Sequence, residues 1–187
     1  MQTAQPDKRT RLIETAMKLA YRNGFRETSL ADIAEAARVP VGNVYYYFKT
    51  KDELAEAVME RRLEEFCAAR AEWDRGSSPK ERLLAFVDSI QANREQLARG
   101  GCPLGGLCAE LHREGGALAK KSATLFTEPI GWLQKQFRAA GHDKDSRELA
   151  MHLFSAWQGM AAVAYGANDP EVVVMEVRRL KNWINTL

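Results

Sequence analysis

Asn43, Tyr45, Tyr46 and Lys49 place an amide, two phenol hydroxyls and an ammonium in one short stretch of chain. Groups of these kinds hydrogen-bond phosphate oxygens and base edges, so the stretch is a candidate nucleic-acid contact. Pro40, Val41 and Gly42 lead into it, and Lys51 follows it. Val41 contributes an apolar group of the kind that reads a thymine methyl. Asn43 can read a base edge or cap its own helix, and Tyr47 can stack on a sugar-phosphate or pack inward.

Sulfur and imidazole supply a second kind of chemistry. The cysteines Cys67, Cys102 and Cys108 are too few and too odd in number for a disulfide framework, which fits a reducing compartment. Cys102 directly precedes Pro103, so it is expected to cap the helix that follows. A thiol there meets the positive end of the helix dipole, which favours the thiolate. Cys102 is therefore either a reactive thiolate or a small residue closing a glycine-rich turn. Cys108 and His112 stand four apart, a spacing that could hold a metal or build a nucleophile–base pair. With Cys102 they outline the alternative of a small thiol-dependent enzyme. His142 and His152 lie far off in sequence, and no Asp/Glu pair completes a triad. Packing is the reading adopted for both residues, with no enzyme activity, metal or cofactor expected.

The elements that must hold these groups are helical. Thr28-Ser29 followed by Asp32 opens a helix over about 30–37, with Thr28 or Ser29 as its N-cap. Leu30, Ile33, Ala34 and Ala37 fall at i, i+3, i+4, i+7, which is one buried face. Arg38-Val39 then leads into a short helix whose first turn suits Pro40, a residue with no N–H to lose. Thr50, with Glu53 three residues on, has capping-box spacing for the next helix. Two short helices on so tight a turn form a helix-turn-helix, whose second helix can enter a major groove. Upstream, Leu12, Ile13, Ala16, Leu19 and Ala20 mark a helix ending at Asn23-Gly24, with Phe25 closing the small core. Asp7 to Arg11 reads as a mixed arm whose Lys8, Arg9 and Arg11 either reach phosphates or are simply solvated.

The ordered set Ile13-x-x-Ala16, Gly24-Phe25, Thr28-Ser29-x-x-x-Ile33-Ala34, Val41-Gly42-x-x-Tyr45-Tyr46-x-Phe48 and Lys49-Thr50-Lys51-x-x-Leu54 resembles the DNA-binding domain of the TetR family of one-component transcriptional regulators. The resemblance covers residues of about 9–55. It implies a helix-turn-helix DNA-binding domain at 1–53 and a helical effector-binding and dimerisation domain at 54–187. It also implies a homodimeric repressor, released from a palindromic operator by a small, mostly apolar or aromatic effector. Thr28 would then cap toward a phosphate, Val41 to Tyr46 would dock in the major groove, and Tyr45, Tyr46 and Lys51 would hold the backbone. Ser29, Pro40, Gly42, Asn43 and Lys49 complete the expected DNA-contacting set.

By the same resemblance the effector is expected among the helices of the body. Phe86, Ile90, Cys102, Leu107, Leu111, Phe126, Trp132, Trp157 and Met160 are its candidate lining, although such stripes are more often plain core. Gly101-Cys102-Pro103-Leu104-Gly105-x-Leu107-x-x-Glu110-Leu111 further resembles a TetR subgroup with a cysteine at this position. Some members of that subgroup sense electrophiles or oxidants, so a thiol-sensing repressor using Cys102 is the alternative.

The remaining chain sets the frame. A hydrophobic content of 45% and a charged content of 28% over 187 residues are ordinary for a soluble protein. No stretch approaches the roughly 18 apolar residues that span a bilayer. Met1 to Pro6 is polar and lacks an apolar signal core, so a cytoplasmic protein without a membrane partner is expected. Residues 1–51 hold nine Lys+Arg against five Asp+Glu, a balance of +4; the rest hold eighteen against twenty, a balance of −2. A basic head on a slightly acidic body suits phosphate contact at one end.

Lys51 to about Trp73 reads as one long helix. Gly76-Ser77-Ser78-Pro79 breaks the chain, and the next helix is expected to run to about Ala98. Leu104 to His112 looks helical despite Gly105 and Gly106, each costing ~1 kcal/mol against alanine; a close backbone contact or a ligand would explain them. Helices over about 117–139, 146–166 and 170–184 complete an all-α chain of about nine helices. The last two carry surplus apolar residues, Leu149, Leu153, Phe154, Trp157, Met160 and Val163 on one, Val172, Met175, Val177, Leu180, Trp183 and Ile184 on the other. That surplus predicts a homodimer through these two helices, presenting two recognition helices to double-stranded operator DNA.

Overall fold

The computed structural model describes residues 7–187, and every regular element among them is a helix. The reading of Met1 to Pro6 lies outside the described residues. In order come α1 (Lys8–Asn23), α2 (Leu30–Ala36), α3 (Val41–Tyr47), α4 (Lys51–Trp73), α5 (Pro79–Ala92) and α6 (Arg94–Gly100). Then follow α7 (Pro103–Glu114), α8 (Gly116–Ser122), α9 (Thr124–Ala139), α10 (Ser146–Ala167) and α11 (Glu171–Thr186).

The all-α expectation holds. Two of the nine expected helices are each interrupted once. Asn93 both ends α5 and begins α6: its N–H turns back to the Ile90 carbonyl at 3.1 Å and its side-chain amide donates to the Ser89 carbonyl at 2.8 Å. Ala123 separates α8 from α9. A short polar side chain that bonds local carbonyls offers the backbone an alternative to the helical ladder, which accounts for the first break.

The described chain packs into two compact units. The first takes the residues up to 63 together with 106–123, and the second takes 64–105 together with 124–187. The helices α4 and α7 therefore each contribute to both.

In the first unit, Leu12, Ile13, Ala16 and Met17 of α1 are buried with Phe25, Ile33, Ala34, Val44, Phe48 and Leu54. Asp7 is the N-cap of α1, its carboxylate accepting the Thr10 N–H at 2.9 Å. Lys8, Arg9 and Arg11 thus belong to the helix and not to a leading arm, because the cap lies one residue before them. The Arg9 guanidinium sits over the Phe48 ring, 5.4 Å from its centroid. Gly24 ends α1 at φ +88, a backbone conformation that favours glycine, and its N–H returns to the Ala20 carbonyl.

In the second unit α10 packs on α6, α9 and α11, while α5 packs on α9 and α11. Leu83, Phe86 and Val87 of α5, Leu133 and Phe137 of α9, Leu153 of α10 and Val177 and Ile184 of α11 make its buried centre. Ser78 caps α5 by accepting the Glu81 N–H at 3.2 Å, with Pro79 at the first helical position, as the sequence predicts.

Candidate nucleic-acid interface

Helix α2 starts on a reciprocal cap. Ser29 Oγ accepts the Asp32 N–H at 3.1 Å, and the Asp32 carboxylate accepts the Ser29 N–H at 2.8 Å and its hydroxyl proton at 2.7 Å. Those bonds hold the Asp32 carboxyl below its usual range, the Ser29 hydroxyl bond being the largest cause. Of the two expected caps, then, Ser29 is the one realised. Thr28 is only 3% exposed, and its hydroxyl donates inward to the Gly24 carbonyl at 2.8 Å.

The turn into α3 rests on an arginine. Arg38 adopts φ +54, its N–H bonds the Glu35 carbonyl, and the next N–H, from buried Val39, reaches back to the Ala34 carbonyl. That pair of bonds is the Schellman arrangement, whose left-handed position glycine usually fills. No glycine marks the place here, so the sequence gives only a tight link. Pro40 is also shifted from expectation. It is the N-cap of α3, at φ −54 and ψ 137, and its carbonyl accepts the Asn43 N–H at 2.8 Å. The helix begins one residue later, at Val41.

Helix α3 has two contrasting faces. Val44 is fully buried and Phe48, its C-cap, is buried too, which fixes the helix to α1 and α2. On the other face Val41 is 45%, Tyr45 54% and Tyr46 80% exposed. Gly42 is exposed beside them, and a Cβ placed there would meet nothing within 4 Å. Asn43 is half-buried and Lys49 exposed. Tyr47 is half-buried, its ring edge-to-face with that of Tyr46 at 5.0 Å. Of the residues expected to face DNA, Ser29, Pro40, Val41, Gly42, Tyr45, Tyr46 and Lys49 lie exposed.

The junction into α4 is capped as the spacing predicts, with one substitution of partner. Thr50 Oγ1 accepts the Glu53 N–H at 3.1 Å, but the Glu53 carboxylate takes the N–H of Lys49 at 2.8 Å. Lys51 does not project freely. Its ammonium donates to the Arg26 carbonyl at 2.7 Å and lies 5.2 Å from the centroid of the Phe25 ring. It fastens α4 to the α1–α2 turn.

The candidate effector residues divide. In the second unit Phe86 meets Trp73, Trp132 and Trp157 with ring centroids 5.2, 6.0 and 5.4 Å apart, and Phe154 joins Trp157 to Phe126. Trp132 donates its indole N–H to Asp74 at 3.0 Å. Ile90 is buried on α5. Met160 lines a different feature, the groove of about 380 Å³ between α10 and α11 formed with Ala156, Gly159, Val163, Val172 and Met175. Leu107 and Leu111 are buried in the first unit. The sequence overlooks Trp73, which closes the aromatic set from the end of α4.

Cys102 heads α7 as expected, its sulfur accepting the Gly105 N–H at 3.5 Å. A second donor was not foreseen: the Gln158 side-chain amide reaches the same sulfur at 3.4 Å. Gly105 lies against this neighbour: a Cβ there would require the Gln158 amide to shift. Cys108 is buried and contacts the Ser122 hydroxyl at 4.0 Å, while His112 is exposed. Burial pushes the Cys108 thiol up, opposite to what a nucleophile needs. Among the described residues no group of three His, Cys, Asp or Glu could hold a metal.

Known proteins resemble this chain in part of its sequence and in its fold. Residues 12–58 match the profile of the bacterial regulatory proteins of the tetR family. The repressor KstR of Rhodococcus jostii is 30% identical over 87 residues, 46% of this chain and 41% of that one. The regulator AcuR of Cereibacter sphaeroides is 28% identical over 165 residues, 79% of this chain and 72% of that one. The match to KstR thus spans less than half the length of that relative. A TetR transcriptional regulator from Legionella pneumophila superposes with a TM-score of 0.86 at 22% identity, covering 97% of this chain and 98% of that one. At that identity the likeness is one of fold. Residues 12–58 thus match the tetR-family model, and the described chain shares its fold with solved TetR regulators.

Proposed function

We propose that this protein is a DNA-binding transcriptional regulator, a homodimeric repressor released from a palindromic operator by a small apolar or aromatic effector. The observation that carries this reading is the outward face of α3: Val41, Tyr45 and Tyr46 exposed on a helix that Val44 and Phe48 anchor from behind. Large apolar groups left in water on one short helix suit a surface that something else covers. The working division is a DNA-binding domain at 1–53 and an effector and dimerisation domain at 54–187. Within the second unit, exposed Val163 and Met175 flank the apolar groove of α10 and α11, with Glu176 and Arg179 at its rim. A second copy seated there supplies the second recognition helix, and the two must reach half-sites ~34–36 Å apart. The effector would meet the aromatic set around Phe86, Trp132 and Trp157. Among the described residues no helix is long and apolar enough to cross a membrane.

The test is an electrophoretic shift with the DNA that flanks the protein's own coding region. A sequence-selective shift that weakens steeply with salt is expected. Absence of any selective shift by the purified protein sinks the proposal.

One observation favours a second trigger, the thiol of Cys102. Two N–H donors, from Gly105 and Gln158, converge on its sulfur, which suits a thiolate that adds to an electrophile. A solved structure of E. coli NemR in its reduced form shares this fold, with a TM-score of 0.80 at 20% identity over 94% of this chain and 96% of that one. Treating the DNA complex with a quinone separates the two readings. If Cys102→Ser is released like the wild type, the thiol is not the trigger.

A further inference from the structure

Glu110 stands on α7, far in sequence from the helix-turn-helix, yet its carboxylate accepts the backbone N–H of Arg26 at 3.0 Å. The same carboxylate lies 3.3 Å from where a Cβ on Gly24 would stand. Glycine at 24 therefore serves twice: it permits φ +88, and it leaves room for this side chain. The other side of Arg26 is held too, its carbonyl accepting the Lys51 ammonium at 2.7 Å. Thr28 closes the loop from within by its bond to the Gly24 carbonyl. One residue of the α1–α2 turn thus carries bonds to α7 on its N–H and to α4 on its carbonyl.

The hairpin of α7 and α8 makes a second attachment inside this unit. Lys121 of α8 pairs with Glu56 of α4 at 2.6 Å. Cys108 on α7 and Ser122 at the end of α8 are buried against one another, which keeps the hairpin closed. The segment 106–123 consequently grips the head at two places, the α1–α2 turn and the first half of α4. Helix α3, with its exposed tyrosines, lies in the chain between those two grips. At its other end the same helix α7 begins on Cys102, whose sulfur is held by Gln158 of α10.

We infer that Glu110 is a positioning residue for DNA binding: α7 anchors the α1–α2 turn through it, and displacement of α7 frees that turn and with it the setting of α3. The inference rests on the DNA-binding reading above. It assigns to the Glu110 carboxylate the hold of α7 on the turn that precedes α2 within this unit. Because the bond needs an acceptor and not a charge, glutamine at this position keeps one and alanine does not.

The experiment uses the full chain. Amide hydrogen exchange is followed for residues 24–28 in the wild type, Glu110→Ala and Glu110→Gln, with Asp143→Asn as a surface-charge control and the thermal midpoint as a check on folding. Titrations with DNA that the wild type shifts run alongside. In Glu110→Ala the exchange of this segment is expected to rise at least about tenfold and the DNA affinity to fall at least about fivefold, with the protein still folded. Glu110→Gln is expected to recover most of both. A residue that merely stabilised the fold would move exchange throughout the unit and shift the midpoint without the local signature. Unchanged exchange at 24–28 in Glu110→Ala, or raised exchange with affinity held within twofold, overturns the inference. Should Glu110→Ala fail to fold, Glu110→Gln and a further variant, Glu110→Asp, decide it: an acceptor-bearing side chain that restores folding but not DNA affinity also overturns it. A wild type that shifts no DNA sinks the parent reading, an outcome distinct from a wild type that shifts DNA as tightly as Glu110→Ala.

Discussion

The molecule uses aromatic rings in two opposite ways. On α3, Tyr45 and Tyr46 are turned outward; in the second unit Trp73, Phe86, Trp132 and Trp157 form one set of ring contacts, edge-to-face from Phe86 to Trp73 and Trp157 and tilted from Phe86 to Trp132. An inward ring is explained by the fold that buries it, whether or not a ligand ever arrives. An outward ring gains nothing from the fold and so asks for a partner. The proposed nucleic-acid face therefore rests on particular exposed residues, and the proposed effector on a chemical class alone.

Substitution should expose that contrast sharply. Phe86→Ala removes the hub of the inward set and is expected to cost about 3–5 kcal/mol of stability, read by denaturant titration. Tyr46→Ala should leave stability within about 0.5 kcal/mol, as surface changes do, while DNA affinity falls at least about tenfold. A Tyr46→Ala protein that melts early, or binds DNA like the wild type, would erase the distinction between the two sets.

A smaller effect is expected at the cap of α2. Ser29→Ala removes the acceptor of the Asp32 N–H and one partner of the Asp32 carboxylate, at a cost of about 1 kcal/mol. Because α2 supports α3 and no part of the aromatic set, the loss should appear as faster exchange in α2 and α3 alone. Gly42→Ala should work in the other direction. It lies in open space on a helix, so alanine is expected to stabilise the free protein by up to about 1 kcal/mol. If α3 is approached by a DNA backbone, the added methyl weakens binding even as the fold gains. Equal or tighter DNA binding by Gly42→Ala would show that the open space has no such use.

How far the sequence carried the fold depended on how local the cause was. Ser29-x-x-Asp32, Thr50-x-x-Glu53, Asn23-Gly24 and Ser78-Pro79 are signals contained within a few residues, and each marks a real helix end. The Arg38 turn was legible only as a tight link, because its left-handed position holds arginine where glycine would have announced it. The choice between Thr28 and Ser29 was undecidable locally, since both can cap and only the packed turn shows that Thr28 is drawn to Gly24. Glu110 with Arg26, Gln158 with Cys102, and Trp132 with Asp74 stand 84, 56 and 58 positions apart. Partners so distant are selected by packing, and nothing in either stretch names the other.

The weakest expected effect compares the two units at low pH through matching caps. Asp32 opens α2 in the first unit, held below its ordinary carboxylate value of 3.8 chiefly by the Ser29 hydroxyl. Glu81 sits in the first turn of α5 in the second unit, held below its ordinary 4.5 chiefly by the Ser77 hydroxyl, with the Ser77 N–H adding to it. In both, folding lowers the pKa, so the stabilisation is complete above the unfolded value. It is lost as the pH falls past that value and through the lower folded one. Acid should therefore loosen α5 from about pH 4.5 downward and α2 from about pH 3.8 downward, a sequence that exchange at the two helix ends can follow separately. Glu81→Gln should flatten the first response and leave the second, and Asp32→Asn the reverse. Both carboxylates are exposed, so each effect is screened by salt and small beside loss of Phe86. Helix ends that tighten on acidification would show that the carboxylates do not cap in solution.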